Sequence, residues 1–346
     1  MYLIIEKELE NISGGNLYNK QLVSVLSEWG IGVCVYKLNS EIKFEQWLSS
    51  LLPHSVIILD SIVGEPFVRV LKKRHYNFKI VYLCHLPMGL RLNAGKSQKV
   101  VLLNAEKQIL KWSEFTICTS EFTEKYLQRL HESFISVVLK PQVGVPRAQL
   151  RVRRKKTTCN DDALNILCVG NIHVGKGQLK VIQGLLDFTD VPWNITFIAG
   201  QYFSDTDYLS EIQSIVDQLG LQSRVRLRFD LSGELLWEEY QQASVFVSLT
   251  EFETYGMALA EACSFGLPIV VNDVGGVRES TNKDSTVYLS NDKQSFTRCL
   301  RRIFYEPMFF ENLKIAALKN ADALNVRLDE HQASCAELRS RLSCLN

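Results

Sequence analysis

Residues 245–272 have the sequence VFVSLTEFETYGMALAEACSFGLPIVVN, and this stretch decides the fold. Its two ends, Val245–Ser248 and Pro268–Asn272, are short, apolar and rich in β-branched residues, as are strands buried on both faces of a parallel sheet. The segment Ala258–Phe265 between them has the pattern of a buried helix, and Gly266 marks a tight turn after it. Because parallel strands are joined by a crossover, usually a helix, the stretch is predicted to be one β-α-β unit.

The same alternation of short apolar strands and amphipathic helices extends through the rest of the chain. Further strands are predicted at Leu3–Ile5, Val33–Tyr36, Val56–Leu59, Ile80–Leu83, Phe115–Cys118, Val137–Leu139, Ile166–Val169, Trp193–Ala199, Arg224–Phe229 and Thr286–Leu289. Further helices are predicted at Leu17–Trp29, Glu65–Arg74, Ser97–Lys111, Glu121–Leu130, Leu179–Asp187, Tyr208–Leu219, Gly233–Gln241 and Lys293–Arg302. Repeated alternation of this kind predicts an α/β protein with doubly wound parallel sheets.

The chain length and one change of composition predict two such domains. The 346 residues correspond to roughly two domains of about 150 residues each. Residues 151–163, RVRRKKTTCNDDA, are polar and basic and are predicted to link a first domain, 1–150, to a second, 164–307. Residues 308–346 are predicted to form helices that pack back across the linker. Open parallel sheets bind ligands at the carboxyl ends of their strands, so the two sheets are expected to face each other across a cleft that holds the site.

Composition excludes several classes of protein. Hydrophobic residues make up 46% and charged residues 22%, so the chain can build cores and is not disordered. No apolar run reaches the roughly 18 residues of a membrane-spanning helix, and the N-terminal MYLIIEKELE lacks the basic region of a secretory leader, so a cytoplasmic location is expected. The nine Cys have no metal-ligand spacing, and several are expected to be reduced core residues: Cys34, Cys84, Cys118 and Cys168.

Charge is distributed unevenly along the chain. Residues 1–150 carry 18 Lys and Arg against 13 Asp and Glu, whereas the remainder carries 21 against 25. The basic clusters of the first half lie at residues 72–75 and at Arg91, Lys96 and Lys99. They have two interpretations: a solvated surface, or peripheral contact with an anionic membrane, to which each basic residue contributes about 1 kcal/mol. The balanced total charge and the lack of a known motif disfavour a nucleic-acid partner.

Two loops that contain glycine follow the first strand of each half. Ser13-Gly14-Gly15-Asn16 precedes a helix, where backbone amides favour an anion, although a plain turn explains it equally well. Residues 169–177, VGNIHVGKG, offer Lys176 to a phosphate but lack the Ser or Thr of a P-loop, and a structural loop is the alternative. Neither loop matches GxGxxG, so the dinucleotide fingerprint is absent.

The strongest motif lies within the opening stretch, where two carboxylates stand eight residues apart. Glu253 falls in the loop after a strand, and Glu261 falls among apolar positions of the following helix. A buried carboxylate needs a partner, and a sugar hydroxyl is a suitable one. The alternatives are an internal salt bridge for Glu261 and a helix cap for Glu253. Downstream, Gly275-Gly276 are predicted to form a loop before a helix.

Together these residues resemble a known family. The residues ETYGMALAEA, followed by GLPIV and DVGGVRE, resemble the E-x7-E signature of the family 4 retaining glycosyltransferases. Three more segments, ISGGNLYNKQLVSVLSEWG, CTSEFTEKYL and VGNIHVGKGQ, resemble family segments in the same order, so the likeness covers roughly residues 12–280. It implies the GT-B fold, in which two Rossmann-like domains face an interdomain cleft.

The resemblance also implies a function and a set of site residues. A sugar would pass from a nucleotide-sugar donor, a UDP- or GDP-sugar, to a hydroxyl of a glycan or lipid-linked acceptor with retention of configuration, and neither a cofactor nor a metal would be needed. Glu261 would bind the ribose of the nucleotide. Glu253 and His85 would be catalytic. The donor diphosphate and sugar would be bound by Gly14, Gly15, Asn171, Lys176, Tyr255, Gly256 and Met257.

One departure from the family pattern keeps other functions open. The family's phosphate loop usually has Arg where this chain has Asn171, so Lys176 would do most of the neutralising, with Arg91 or Arg278 as substitutes for the missing cation. The main alternative is therefore a catalytically silent subunit that binds a sugar nucleotide. An epimerase or phosphorylase of similar fold is another, whereas a dinucleotide-dependent oxidoreductase is disfavoured because its fingerprint is absent.

Overall fold

The computed structural model describes residues 1–5, 9, 12–38, 41–72, 77–91, 95–143, 163–290, 294–322 and 326–345. The chain forms two compact units, one of Met1–Gln142 together with Arg327–Asn346 and one of Val143–Val326. The predicted linker lies outside the described residues up to residue 162, as do residues 73–75 of the basic cluster.

The first unit contains a six-stranded parallel sheet with the strand order β2-β1-β3-β4-β5-β6. Its strands are β1 (Tyr2–Ile5), β2 (Cys34–Lys37), β3 (Val56–Asp60), β4 (Lys79–Cys84), β5 (Ser113–Cys118) and β6 (Ser136–Val138). Its helices are α1 (Gly14–Glu28), α2 (Glu41–Ser50), α3 (Gly64–Leu71), α4 (Lys96–Trp112), α5 (Glu121–Leu130) and, near the end of the chain, α13 (Val326–Ser343).

The second unit contains a six-stranded parallel sheet with the strand order β12-β11-β10-β7-β8-β9. Its strands are β7 (Leu164–Val169), β8 (Trp193–Ala199), β9 (Val225–Phe229), β10 (Val245–Ser248), β11 (Ile269–Asn272) and β12 (Thr286–Leu289). Its helices are α6 (Gln178–Leu185), α7 (Thr206–Gln218), α8 (Gly233–Gln242), α9 (Met257–Ser264), α10 (Val277–Ser280), α11 (Ser295–Tyr305) and α12 (Pro307–Asp322).

Each sheet is buried on both faces, which confirms the predicted doubly wound architecture. In β3, for example, Ile57 and Leu59 belong to one apolar core, whereas Val56 and Ile58 belong to the core on the opposite face. This follows from the two-residue period of a strand, which sends successive side chains to opposite faces. Successive positions of such a strand must therefore be apolar, and the VIIL of β3 meets this requirement.

Three details differ from the prediction. Helix α2 is absent from the prediction, although its buried residues Phe44 and Leu48 have helical spacing. Cys34 is exposed rather than in the core, because it lies on β2 at the edge of the first sheet. The C-terminal helical stretch is divided between the units: α12 lies in the second, and α13 packs Leu338 and Leu342 into a core of the first.

The strand orders identify where each sheet can open for a ligand. In the first sheet β1 pairs with β2 on one side and β3 on the other, and in the second β7 pairs with β8 on one side and β10 on the other. At such a switch point the following helices leave toward opposite faces, so a crevice forms at the carboxyl ends of the strands. Candidate site residues should therefore follow β1 and β3 in the first unit, and β7 and β10 in the second.

Candidate active site

In the second unit, the loops that follow β7 and β10 are joined at the switch point. The carbonyl oxygen of Gly175 accepts a hydrogen bond of 2.8 Å from the backbone N–H of Glu251. Gly177 has φ +74°, and a Cβ there would lie 2.4 Å from the carbonyl oxygen of Leu249. Only glycine combines this left-handed conformation with so close a backbone approach. The sequence VGKG is thus what holds the two loops together.

This junction brings Lys176 and Glu253 together. The Lys176 Nζ lies 2.8 Å from the Glu253 Oε2, and the two side chains are 35% and 20% exposed. Burial lowers the pKa of Lys176, but the charge of Glu253 and the hydrogen bond to it raise that pKa by more, so the net shift is upward. Lys176 is therefore a charged ammonium held in a fixed place and still reachable from solvent.

The loop that carries Glu253 is itself held by the glycine pair of the next loop. The backbone N–H of Gly276 donates a 2.9 Å hydrogen bond to the carbonyl oxygen of Glu253. A Cβ on Gly275 would lie 1.9 Å from that same oxygen, and one on Gly276 would lie 2.0 Å from the carbonyl oxygen of Thr254. The prediction of a loop before a helix is confirmed, since α10 follows at once, and the pair also fixes the backbone of Glu253.

Helix α9 begins beside this pair. Gly256 is its N-cap, with φ +90°, and a Cβ there would lie 2.7 Å from the Leu259 Cδ1. The first amides of a helix have no partner within the helix and attract an anion. Tyr255 is buried and Met257 is half-buried. Glu253 does not supply the side-chain cap of α9 that was the alternative role for it.

Glu261, on the first turns of α9, is paired with a tyrosine rather than with a cation. The Tyr240 hydroxyl donates a 2.7 Å hydrogen bond to the Glu261 Oε2, and no ion pair of Glu261 occurs within the described part of the chain. Burial raises the pKa of Glu261 to about 6, and the hydrogen bond from Tyr240 partly opposes that rise. The Tyr240 ring that carries this hydroxyl stacks on the Phe265 ring, with 5.2 Å between the ring centroids, and this contact holds the ring in place.

Asn171 and the two arginines suggested as replacement cations all have structural partners. The Asn171 Oδ1 accepts a hydrogen bond of 3.3 Å from the backbone N–H of Gly200. Arg278 makes a bidentate ion pair with Asp273, with distances of 2.8 and 2.6 Å. Arg91, in the first unit, donates to the carbonyl oxygens of Ser61 and Ile62, each at 2.9 Å. Neither guanidinium is therefore free to replace the family's arginine in this conformation.

In the first unit, the predicted residues His85 and Gly15 lie next to each other. His85 directly follows β4, and a Cβ on Gly15 would lie 3.9 Å from the His85 Cδ2. Gly14 begins α1, whose N-cap Ser13 accepts a 3.2 Å hydrogen bond from the Asn16 N–H. The structure thus groups Gly14, Gly15 and His85 in one unit, and the remaining predicted residues in the other.

Three partners of these residues are absent from the sequence analysis. Asn19 and Asp60 contact His85 in the first unit, and Tyr240 donates to Glu261 in the second. Asp60 could have been identified as a candidate site residue from the sequence, because it is a single acidic residue directly after the apolar run VIIL of β3. Asn19 and Tyr240 could not, since each is an ordinary residue within a helical pattern.

The residues that the structure describes contain neither a metal-binding cluster nor a membrane-spanning helix. No group of three or more His, Cys, Asp or Glu side chains in that part of the chain is arranged to hold a metal ion. Of the helices described, none combines the length and the apolar character needed to cross a membrane.

The second half of the sequence matches one family model, and parts of the chain match curated relatives. Residues 151–319 match the family model described as "Glycosyl transferases group 1". Over 132 residues, or 37% of the chain, it is 32% identical to the GDP-mannose:cellobiosyl-diphosphopolyprenol alpha-mannosyltransferase of Xanthomonas oryzae pv. oryzae, covering 34% of that protein. The chain spans less than half the length of the first curated relatives it matches.

Solved structures match along the whole chain at low identity. Sucrose-phosphate synthase from Thermosynechococcus elongatus aligns with a TM-score of 0.79 and 18% identity, covering 100% of this chain and 99% of that one. Anabaena HepE, in complex with UDP-glucose, aligns with a TM-score of 0.69 and 14% identity, covering 98% and 99%. At such identities the likeness establishes the fold, which is the GT-B fold.

Proposed function

We propose that this chain, whose residues 151–319 match the model of the glycosyl transferases group 1 family, belongs to that family and transfers a sugar from a nucleotide-sugar donor to an acceptor hydroxyl with retention of configuration. The observation that carries the proposal is the Lys176–Glu253 pair. It places a cation and a carboxylate side by side at the switch point of the second sheet, next to the start of α9. A sugar diphosphate offers an anion to the ammonium and hydroxyl groups to the carboxylate.

The donor would occupy the carboxyl end of the second sheet. Lys176 and the amides around Tyr255, Gly256 and Met257 would bind the diphosphate, because together they supply positive charge where the leaving group gathers negative charge. This supply of charge is why we propose a reaction that needs no metal. Glu261 would accept hydrogen bonds from the ribose hydroxyls. The roles of Gly14, Gly15 and Asn171 toward the diphosphate stay predictions.

The pairing of Lys176 with Glu253 suggests how the donor would enter. Before the donor binds, each charge is the other's partner, so neither is left uncompensated. A diphosphate would compete for the Lys176 ammonium, and Glu253 would then be free to accept hydrogen bonds from the sugar hydroxyls. Its negative charge would also stabilise the positive charge that develops at the anomeric carbon.

The transfer would proceed on one face of the sugar. The bond between the anomeric carbon and the diphosphate oxygen breaks, and its electron pair stays with the diphosphate. The acceptor oxygen forms a bond to the same carbon from the same side, and its proton passes to an oxygen of the leaving phosphate. His85 would contact the sugar. Support for a UDP- or GDP-sugar comes from the UDP-glucose of HepE and the GDP-mannose in the name of the Xanthomonas relative.

A thermal-shift panel with UDP, GDP, ADP, CMP and NAD tests this proposal. A ligand at about 100 times its dissociation constant stabilises a protein by about 2.7 kcal/mol, which such a measurement detects. We expect one nucleoside diphosphate to stabilise the protein, and Glu261→Ala to abolish the effect. Stabilisation by NAD alone would contradict the proposal.

A catalytically silent sugar-nucleotide-binding subunit is the second candidate. It is favoured by Asn171, which stands where the family has Arg and whose side-chain oxygen is used by Gly200. Such a subunit would bind the same nucleotide sugar but would not break the bond between the sugar and the nucleoside diphosphate. Turnover of any nucleotide sugar by the purified protein, reduced by Glu253→Gln, would exclude this candidate.

The acceptor would be a glycan or a lipid-linked glycan. The exposed face of α4 also suggests peripheral contact with a membrane. Lys96, Lys107 and Lys111 are exposed there, as is Val100, and the lysines have no ion-pair partner among the residues the structure describes. At about 1 kcal/mol per lysine, three such residues would bind an anionic surface. We expect co-sedimentation with anionic vesicles but not with neutral ones, and loss of binding when all three are changed to Gln.

A further inference from the structure

Three polar side chains form a buried chain of hydrogen bonds at the switch point of the first sheet. Asn19, Asp60 and His85 are only 1%, 2% and 9% exposed. The His85 Nε2 lies 2.9 Å from the Asn19 Oδ1, and the Asn19 Nδ2 donates a 3.0 Å hydrogen bond to the Asp60 Oδ2. The other carboxylate oxygen, Oδ1, accepts a 2.9 Å bond from the backbone N–H of Ile62.

The chemistry of these groups gives every bond one direction. A carboxylate only accepts, so the Asn19 side chain must turn its NH₂ group toward Asp60 and its oxygen toward His85. An amide oxygen also only accepts, so the His85 Nε2 must carry a hydrogen and donate it. The assignment thus follows from Asp60 and does not depend on locating a hydrogen atom.

The imidazole of His85 is then left with one unused nitrogen. Burial lowers the pKa of His85, and the opposing effect of the nearby Asp60 is smaller, so the ring is neutral at pH 7.5. A neutral ring with its hydrogen on Nε2 has a lone pair on Nδ1. Within the described residues, Nδ1 makes no hydrogen bond. The Tyr18 ring makes a T-shaped contact with the imidazole, with 5.0 Å between the two ring centroids, and limits how the imidazole can turn.

We propose that Asn19 and Asp60 are positioning residues that hold His85 as the Nε2-protonated tautomer, so that its Nδ1 accepts a hydrogen bond from a sugar hydroxyl. The identity of the ligand as a sugar rests on the proposed function. The arrangement selects for a hydrogen-bond donor and against an acceptor-only group. A sugar with a carboxylate at this position is rejected, because it would place its oxygens against the Nδ1 lone pair and add a charge near Asp60.

The test begins with the free protein, so that its first result is independent of any substrate. Long-range ¹H–¹⁵N correlation spectra of the ¹⁵N-labelled protein at pH 7.5 distinguish the two neutral tautomers and the charged ring. The signals of His85 are those lost in His85→Gln. We expect a single Nε2-protonated tautomer. A dominant Nδ1-protonated ring, or a charged ring, would overturn the proposal.

Asp60→Asn then tests the positioning role. An amide at this site can donate as well as accept, so Asn19 is free to rotate and the second tautomer of His85 should appear. Glu114→Gln is the matched control, since it removes one negative charge from an exposed position of the same sheet and should leave the His85 signals unchanged. A single unchanged tautomer in a folded Asp60→Asn variant would overturn the role of Asp60.

Additions of ligand to the same sample test the hydroxyl contact and identify its source. UDP-glucose or GDP-mannose should shift the Nδ1 signal if the hydroxyl belongs to the donor, and cellobiose should shift it if the hydroxyl belongs to the acceptor. UDP-glucuronate should shift it less than UDP-glucose. A nucleotide sugar that binds while neither it nor cellobiose moves the Nδ1 signal would overturn the contact and leave the proposed function intact. If none of the nucleotide sugars binds, both the hydroxyl contact and the proposed function are contradicted.

Discussion

At the carboxyl end of the first sheet, His85, Asn19 and Asp60 are buried and bonded to one another, whereas at the carboxyl end of the second sheet Lys176 and Glu253 are paired where solvent reaches them. Both clusters lie at the switch point of a doubly wound sheet. The first cluster presents one unused hydrogen-bond acceptor, the Nδ1 of the neutral His85 ring. The second cluster presents the Lys176 ammonium and the Glu253 carboxylate.

The difference teaches that the same architecture can prepare two kinds of contact. A neutral acceptor fixed by buried bonds distinguishes a hydroxyl from other groups and contributes little net attraction. A reachable ammonium attracts an anion strongly but is less selective. We therefore expect the second unit to supply binding energy for the diphosphate and the first to discriminate between sugar groups.

The largest effect is expected from Lys176→Met. Removing the ammonium should lower kcat/KM for the nucleotide sugar by about 10²–10³-fold, since the leaving diphosphate loses a charged partner. Lys180→Met is the matched control, because Lys180 makes a 2.7 Å ion pair with Glu251 nearby and is exposed, and it should change kcat/KM by less than about threefold. Equal losses in the two variants, measured with the same donor, would remove the special role of Lys176.

Next in size is the effect of Gly275→Ala on stability. Gly275 has φ +55°, and a Cβ there would lie 1.9 Å from the carbonyl oxygen of Glu253. We expect a loss of about 3 kcal/mol or more in the free energy of unfolding by urea. Gly220→Ala is the control, because Gly220 has φ +65° with nothing near its Cβ position, so it should lose only the about 1–2 kcal/mol of a left-handed alanine. Similar losses would mean that the glycine pair does not hold the Glu253 loop.

A buried carboxyl of the first unit should make stability depend on pH. Glu106 accepts hydrogen bonds from the Tyr82 hydroxyl at 3.0 Å and the Met88 N–H at 2.9 Å, and burial raises its pKa from 4.5 to about 7. The folded state therefore holds this proton more tightly than the unfolded state does, and stability falls as pH rises from 4.5 through 7. The contribution of Glu106 to this fall in the free energy of unfolding should be about 3 kcal/mol, and Glu106→Gln should remove that contribution. A pH profile of unfolding that is the same in both proteins would contradict this.

The smallest effect concerns Tyr240 and the pH dependence of nucleotide binding. Glu261, with a pKa of about 6, should bind ribose hydroxyls best when it is ionised, so affinity should fall as pH drops below that value. Tyr240→Phe removes the hydrogen bond that lowers this pKa, so the midpoint of the fall should move to higher pH. Calorimetric titration of the nucleoside diphosphate at several pH values measures it, with Glu261→Gln as the reference that lacks the dependence. A midpoint unmoved in Tyr240→Phe would contradict the assignment.

The strands of both sheets could be predicted from the sequence because each is a short apolar run. Trp193–Ala199, Val245–Ser248 and Thr286–Leu289 have the predicted bounds. Helix α2 is absent from the prediction although Phe44 and Leu48 have helical spacing, because among its described residues these two alone form its fully buried face. Its Trp47 stacks on Tyr36 at 3.9 Å, a contact between elements that no local pattern contains.

The candidate residues could be chosen from the sequence, but the pairs that they form could not. Lys176 and Glu253 stand 77 positions apart, and only the order of strands β7 and β10 brings them within 2.8 Å. Asn19 and Asp60 are 41 positions apart and meet for the same reason at β3. Sequence motifs therefore indicated which side chains are candidates for the site. The pairing of these side chains, which sets their charge and the direction of their hydrogen bonds, depends on the sheet topology.

The most direct test of the central claim is the configuration of the first product. A nucleotide sugar is incubated with the purified protein, with water as the acceptor. ¹H NMR then identifies which anomer of the free sugar is released first, before the two anomers equilibrate. The account predicts a product with the donor's own anomeric configuration, formed more slowly by Glu253→Gln and Lys176→Met. An inverted product, or an unchanged rate in both variants, would contradict it.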